Sequence, residues 1–227
     1  MNQTVAIKSN ESLSNRAYRE LKEKILKNEI KFGTYYLEKT LAESLGISRT
    51  PLKEALVRLE NEGLIVIQPR HGIKVQAVSA EDMEEIYQII GCLECEAVYL
   101  LANKGLSEEQ IQAFDKTAVD MDNALSRDDL TAWAEADENF HRLLLEYCGN
   151  KRLQNIVMNH WDQAHRARYF TLTLREKPTN STADHLAVIE AMKNRDVTRA
   201  VEIHRAHRLK GKKLIVDILK KFRMEGL

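Results

Sequence analysis

Gly46, Ser48 and Pro51 fall within six positions of one another, and together they leave the chain around them few ways to fold. Glycine ends a helix readily because it enters the left-handed region without a Cβ penalty. A serine hydroxyl suits the position just before a helix, and proline is harmless in the first turn, where its missing N–H has no partner to lose. The flanking residues supply the helices. Leu41, Ala42 and Leu45 make a short apolar stripe before Gly46; Leu52, Ala55, Leu56 and Leu59 make a longer one after it, closed by Gly63. Upstream, Ala17, Leu21, Ile25 and Leu26 form a stripe over residues 15–29, which Gly33 breaks. After Gly63 the period shortens. Leu64-Ile65-Val66-Ile67 and Ile73-Lys74-Val75 are β-rich runs around Pro69-Arg70-His71-Gly72. The spacing predicts three helices and a two-stranded hairpin, the outline of a winged helix-turn-helix.

That outline sets the third helix into the major groove of double-stranded DNA, with its first residues at the base edges. Arg49 can contact a guanine with both arms of its fork, and Lys53, one turn later on the same face, can reach guanine or phosphate. Ser48, Thr50 and the N–H groups at the helix start suit a phosphate. The wing tip, Arg70 and His71, can enter the adjacent minor groove, with Gly72 permitting the tight turn. A basic pair on a helix is ordinarily just a solvated face; the position of this pair, at the start of the third helix, argues for DNA. Charge agrees with this. Residues 1–78 hold 13 Lys and Arg against 9 Asp and Glu, whereas the rest of this neutral chain holds 21 against 25.

From Ser79 onward the period is helical throughout. Six stretches can be drawn, at 81–104, 107–126, 129–148, 151–173, 182–194 and 196–222. Ser79 is a capping residue, Ser107 with Gln110 makes a capping box, and Gly149-Asn150 closes one helix and opens the next. Lys177-Pro178-Thr179-Asn180-Ser181 is the clearest turn cluster. The expected fold is mainly α: a flexible arm at 1–14, a winged helix-turn-helix at 15–78, a six-helix sensor bundle at 79–222 and a tail at 223–227. Cys92 and Cys95 form a CxxC, read as small buried side chains on one helical face; with Cys148 they make an odd count that fits a reducing compartment. No run of 18 apolar residues is present to span a membrane, and the polar opening residues lack the order of a signal peptide, so a cytoplasmic location is expected.

Six of the seven histidines lie between residues 141 and 207. Asp137 and His141 share the apolar stripe of Trp133, Phe140 and Leu144, so both should point inward, and an i,i+4 pair can grip one metal. His185 shares a face with Val188, Ile189 and Met192, and both His204 and His207 lie near the stripe of the last helix. A single inward histidine is more often a hydrogen-bonded core residue than a ligand. Three helices each aiming one inward argue for a divalent cation, although spacing alone does not choose between His204 and His207.

These segments resemble the GntR family of bacterial regulators. The matching residues are Leu37-Glu38, Leu41-Ala42, the run Gly46–Leu56, Leu59-Glu60 and Glu62-Gly63-Leu64. By position, Lys39, Arg49 and Lys53 match the family's operator-contacting basic residues, with Lys in place of Arg at 39 and 53 and Phe32 in place of a usual proline. Residues 81–215 resemble the FCD sensor domain of the FadR branch, through Leu93-Glu94, Asp137-x-x-Phe140-His141-x-x-Leu144, Gly149-Asn150-x-x-Leu153, and His185 to His207. The resemblance implies a Zn, Ni or Mn site on Asp137, His141, His185 and His207, and the six helices are similar to the VanR-like subgroup. An arginine common in the family at position 90, where it binds effector carboxylates, is Ile90 here; Arg166 or Arg168 is the substitute cation expected to face such a ligand. The expected activity is that of a homodimeric repressor on a palindromic operator, modulated by a small carboxylate bound at or near the metal. Two other readings stand beside it: the same regulator with a purely structural metal, and a metal-dependent hydrolase.

Overall fold

The computed structural model describes residues 11–26, 29–31, 33–77 and 79–221. The expected tail at 223–227, Phe32, and all of the expected arm except residues 11–14 lie outside the described residues. The chain divides into two compact units, the first running through Ala77 and the second beginning at residue 78.

In the first unit, α1 (Leu13–Leu26), α2 (Glu38–Leu45) and α3 (Arg49–Asn61) follow the apolar stripes. Helix α1 starts at Leu13, earlier than the expected residue 15, and buries Ala17, Leu21 and Ile25. Gly46 closes α2 at φ 63°, donating its N–H to the carbonyls of Ala42 and Glu43. Leu52, Ala55, Leu56 and Leu59 carry α3 into a core shared with Leu64, Ile65, Ile73 and Val75. Ser48 occupies the N-cap position with extended backbone, but its side chain makes no capping hydrogen bond, which corrects the role expected for its hydroxyl.

The sheet has three strands rather than two. To the hairpin β2 (Ile65–Gln68) and β3 (Gly72–Val75) is added β1 (Tyr35–Tyr36), in the order β1-β3-β2, all antiparallel. Tyr35 pairs with Lys74 and Tyr36 with Ile73. Two residues are too few for alternation to register, so β1 left no pattern to read. The wing turns at Pro69-Arg70, with His71 N–H donating to Gln68 O at 3.0 Å. Arg70 has φ 70°, where a turn with proline one place earlier usually holds glycine. Gly72, at φ 87°, passes so close to β1 that a Cβ would lie 2.2 Å from the Tyr36 carbonyl oxygen. Gly72→Ala should therefore cost the first unit upwards of about 1–2 kcal/mol from backbone conformation alone. The check is faster hydrogen exchange across β1 and β3, with the second unit unchanged.

The second unit contains six helices and no strand among the described residues: α4 (Ala80–Lys104), α5 (Glu108–Ser126), α6 (Leu130–Tyr147), α7 (Lys151–Leu172), α8 (Thr179–Lys193) and α9 (Val197–Lys221). The caps explain why most ends fall within one residue of expectation. Ser79 accepts from Asp82 N–H, Ser107 and Gln110 close a full capping box, and Asn150 accepts from Leu153 N–H. Helix α8 is the exception. It starts behind Pro178, so Thr179, Asn180 and Ser181 form its first turn rather than a loop. Helix α4 lies along α9, α5 along α6, and α8 along α9, around a core that includes Ile90, Val98, Phe114, Trp133, Phe140, Val157 and Met192. No described helix is long and apolar enough to cross a membrane.

Candidate functional site

On the first unit, the buried side of α3 leaves Arg49, Thr50 and Lys53 exposed on the opposite face. Ser48, Lys39, Arg70 and His71 are exposed as well, and Gly72 is half-buried. Lys39 lies 3.9 Å from Glu43, an exposed pair too loose to hold it. Polar clamps hold α3 in place. Ile67 N–H donates to Glu60 at 2.7 Å, Tyr18 hydroxyl to Glu62 at 2.6 Å, and Arg58 stacks 3.7 Å from the Tyr18 ring centre. Arg16 reaches back to the Leu45 carbonyl at 3.0 Å, tying α1 to the end of α2. The result is a rigid exposed helix start with two cations one turn apart, suited to a groove of DNA.

In the second unit, Asp137 and His141 from α6, His185 from α8 and His207 from α9 are all buried, and one donor atom from each lies within 4.8 Å of the others. His185 Nε2 is 3.4 Å from His141 Nε2 and 3.5 Å from Asp137 Oδ1. His207 Nδ1 lies 3.6 Å from Asp184, which leaves Nε2 as its nitrogen for the other three. His204 turns elsewhere, with Nε2 3.0 Å from Glu94 Oε2.

Glu94 is fully buried, and the residue-level reading missed its role. The available signal was a carboxylate, Glu94, that ends the uncharged run from Ile89 to Leu93 on the same helical face as Ile90, Ala97 and Val98. Its Oε2 lies 3.0 Å from His141 Nδ1 and 3.2 Å from Arg208 Nε. A carboxylate this close to an imidazole favours the proton on the nitrogen facing it and so leaves the other as the ligand, although the approach is not aligned as a hydrogen bond. Burial opposes the Glu94 charge, but Arg208, His141 and His204 outweigh it and hold the carboxyl well below its usual range. Asp137 behaves alike: burial works against ionisation, and Arg168 followed by the three histidines overcomes it. Burial pushes the imidazoles the other way, His185 well below its ordinary value and His204 down to about 4. Ionised carboxylates beside neutral imidazoles are the protonation state in which such residues bind cations.

The two arginines expected to face an effector leave α7 in nearly opposite directions, being two residues apart on a helix. Arg168 forms an ion pair with Asp137 Oδ2, so it reaches the cluster through the carboxylate itself. Arg166 is buried on another side of the helix, and burial lowers its guanidinium to about 10. Tyr87 and Arg175 were not anticipated. Both act electrostatically with Asp137 and Arg168, and the buried Tyr87 hydroxyl and Arg175 Nε have no hydrogen-bond partner among the described residues. Ile90 is buried and apolar. Cys95 is buried, but Cys92 is exposed, contrary to the reading of both as core residues.

The donors present fit a divalent ion. Two imidazole nitrogens face one another at 3.4 Å with a carboxylate oxygen beside them, an arrangement that a shared cation satisfies better than a shared proton.

Comparison with known proteins agrees with both units. Residues 13–75 match the family described as bacterial regulatory proteins, gntR family, and residues 85–210, more than half of the chain, match the FCD domain. The HTH-type transcriptional regulator YdhC of Bacillus subtilis is 29% identical over 191 residues, covering 84% of this chain and 85% of that protein. The HTH-type transcriptional repressor RspR of Escherichia coli is 28% identical over 195 residues, covering 85% of each. Among solved structures, E. coli McbR/YncC shares the fold at a TM-score of 0.78 and 20% identity, covering 94% of this chain and 99% of that one. A winged helix-turn-helix with an exposed basic recognition helix, followed by a six-helix FCD domain, makes this chain a member of the GntR family of bacterial regulators: a DNA-binding transcription regulator and not an enzyme.

Proposed function

We propose that the protein is a metabolite-responsive repressor whose dimer holds a palindromic operator and releases it when a small organic acid binds beside a divalent ion, Zn, Ni or Mn. The observation that carries this reading is the convergence of four buried donors, Asp137, His141, His185 and His207, from three different helices. The six sensor helices favour the VanR-like subgroup of the FadR branch, and the relative RspR is itself named a repressor.

On DNA, Arg49 and Lys53 read base edges or phosphate, Ser48, Thr50 and Lys39 hold the backbone, and Arg70 and His71 follow the minor groove past Gly72. In the sensor, Asp137 and the three histidines would hold the ion, which supplies a Lewis-acid contact for an acid's oxygen. Arg168 neutralises Asp137, while the unpartnered Tyr87 hydroxyl and Arg175 Nε supply donors for a carboxylate. A ligand bridging Tyr87 on α4, the ion held in part by α6, and Arg175 just past α7 draws these elements together, and the shift it produces is bounded by its differential affinity for the two arrangements.

The test is an operator-release titration against a panel of small carboxylates, with and without a chelator. Release that requires metal is the expected result. The depth of burial of the cluster favours a second reading, a structural ion; under it, release by an acid would survive the chelator, or no acid would act at all. Unchanged operator affinity across the whole panel would remove the acid from the proposal.

A further inference from the structure

The function just described leaves Gly91 and the cysteine pair of α4 unused, although all three face the same feature. They form, with Leu209, the floor of a groove of about 400 Å³ between α4 and α9. Arg205, Arg208 and Lys212 of α9 line its side, and no carboxylate lines it. Arg205 has no ion-pair partner among the described residues, and its charge partly offsets the upward push that burial gives the Cys95 thiol. Arg208 is held on one side by Glu94 at 3.2 Å, and Lys212 by Glu84 at 3.5 Å.

Gly91 is the telling residue. A glycine in the middle of a 25-residue helix costs about 1 kcal/mol relative to alanine. Its backbone is ordinary, and a Cβ there would meet only the Arg208 Cβ at 3.6 Å, a normal contact. Neither conformation nor packing asks for glycine. What glycine does provide is an open apolar floor directly beneath the row of cations.

We propose that this groove is a second ligand site, separate from the metal cluster, for a small anion with an apolar body: an aromatic or short-chain carboxylate or sulfonate. The body lies on Gly91, Cys92, Cys95 and Leu209, and the charged head meets Arg205 and Lys212. Charge complementarity selects an anion, and the volume limits it to a small molecule. The site also communicates inward. Arg208 lines the groove and touches Glu94, whose same oxygen lies 3.0 Å from His141 Nδ1. An anion that draws on Arg208 changes how firmly Glu94 holds His141. Groove occupancy and metal affinity are then coupled, by equal factors in both directions. This coupling, unlike the groove site, rests on the metal reading.

The experiment uses full-length untagged protein and 8-anilinonaphthalene-1-sulfonate as the probe, titrated by fluorescence in EDTA and again in excess Zn²⁺. Wild type should bind the probe in both conditions. Gly91→Leu, which fills the floor, and the double variant Arg205→Glu/Lys212→Glu, which reverses the rim, should each weaken binding about tenfold or more. Bound probe should also slow alkylation of Cys92 by iodoacetamide, read by peptide mass spectrometry. Should Gly91→Leu fail to fold, the charge-reversed variant and the Cys92 rate still decide the matter. Probe binding that vanishes in EDTA but survives both variants would place the anion at the metal cluster and overturn the groove. So would no binding at all, or no change in the Cys92 rate. Equal affinity in EDTA and Zn²⁺ would keep the groove and remove the coupling.

Discussion

His185→Ala, purified without a histidine tag, should emerge almost free of divalent metal, where wild type carries about one ion per chain. His185 is the right position to change because it is fully buried and faces both His141 and Asp137, yet holds no charge of its own at neutral pH. Asp137 would be a poorer choice. Removing it strands Arg168 in the interior, and an uncompensated buried charge costs about 3–5 kcal/mol, which confuses lost metal with lost fold. Changes that merely reposition a ligand typically reduce metal affinity roughly 10–100-fold, so losing a ligand outright should do more. Elemental analysis reads the effect directly, and melting provides the second measurement. An ion present at about a thousand times its dissociation constant stabilises the native state by about 4 kcal/mol, so added metal should raise the wild-type melting temperature and leave the variant's unmoved. The variant also loses the edge contact between His185 and Phe140, with ring centres 4.3 Å apart, so its baseline melting point should fall somewhat. Wild type that stays metal-free after reconstitution would remove the cluster from consideration as a site.

Arg49→Ala should abolish specific DNA recognition while leaving the fold intact. Arg49 is exposed at the first position of α3, so truncation disturbs no core contact and thermal melting should be unchanged. A bidentate contact to a base is worth about 1–3 kcal/mol, and a symmetric operator doubles the loss. The expected drop in affinity is on the order of a hundredfold or more, measured by fluorescence anisotropy on an operator selected from random-sequence DNA. Lys39→Ala should behave differently. Loss of a phosphate contact in each half-site weakens binding to all sequences alike and flattens the salt dependence by about two counterions. If Arg49→Ala bound its operator as tightly as wild type, base reading would have to be assigned to another surface.

Much of the fold could be read directly because its signals are local. Ser107 and Gln110, Asn150, and Gly46 each act within one turn, and the helix ends they set agree with the structure. Asp137 and His141 could be read for the same reason, being one turn apart on one helix. Signals that depend on a partner from far along the chain were not legible. His204 and His207 stand about 60° apart around α9, so helical period alone leaves them tied. The tie is broken by Glu94, 110 residues away, which takes His204 and leaves His207 to the cluster. Arg168 was expected to serve an effector but meets Asp137, because the packing of α7 on α6 is invisible in a linear pattern. Tyr87 and Arg175 carry no spacing signature at all; only their shared interior identifies them. At Ser48 the residue type was right for a cap, and the hydroxyl simply does not bond there.

The order of strands in the first unit has a consequence for how it comes into being. β3 is the central strand, yet it is the last to be made, and both its neighbours precede it in the chain. Tyr35 and Tyr36 leave the ribosome long before the residues that will pair with them, so the sheet has no partial, hairpin-first version that includes β1. Closing it requires a non-local contact across nearly forty residues, a slow step relative to helix formation. The wing is therefore not an appendage that forms and frays by itself. Its pairing with β1 is the latch that completes the unit, and that seam should be the last part of the sheet to close.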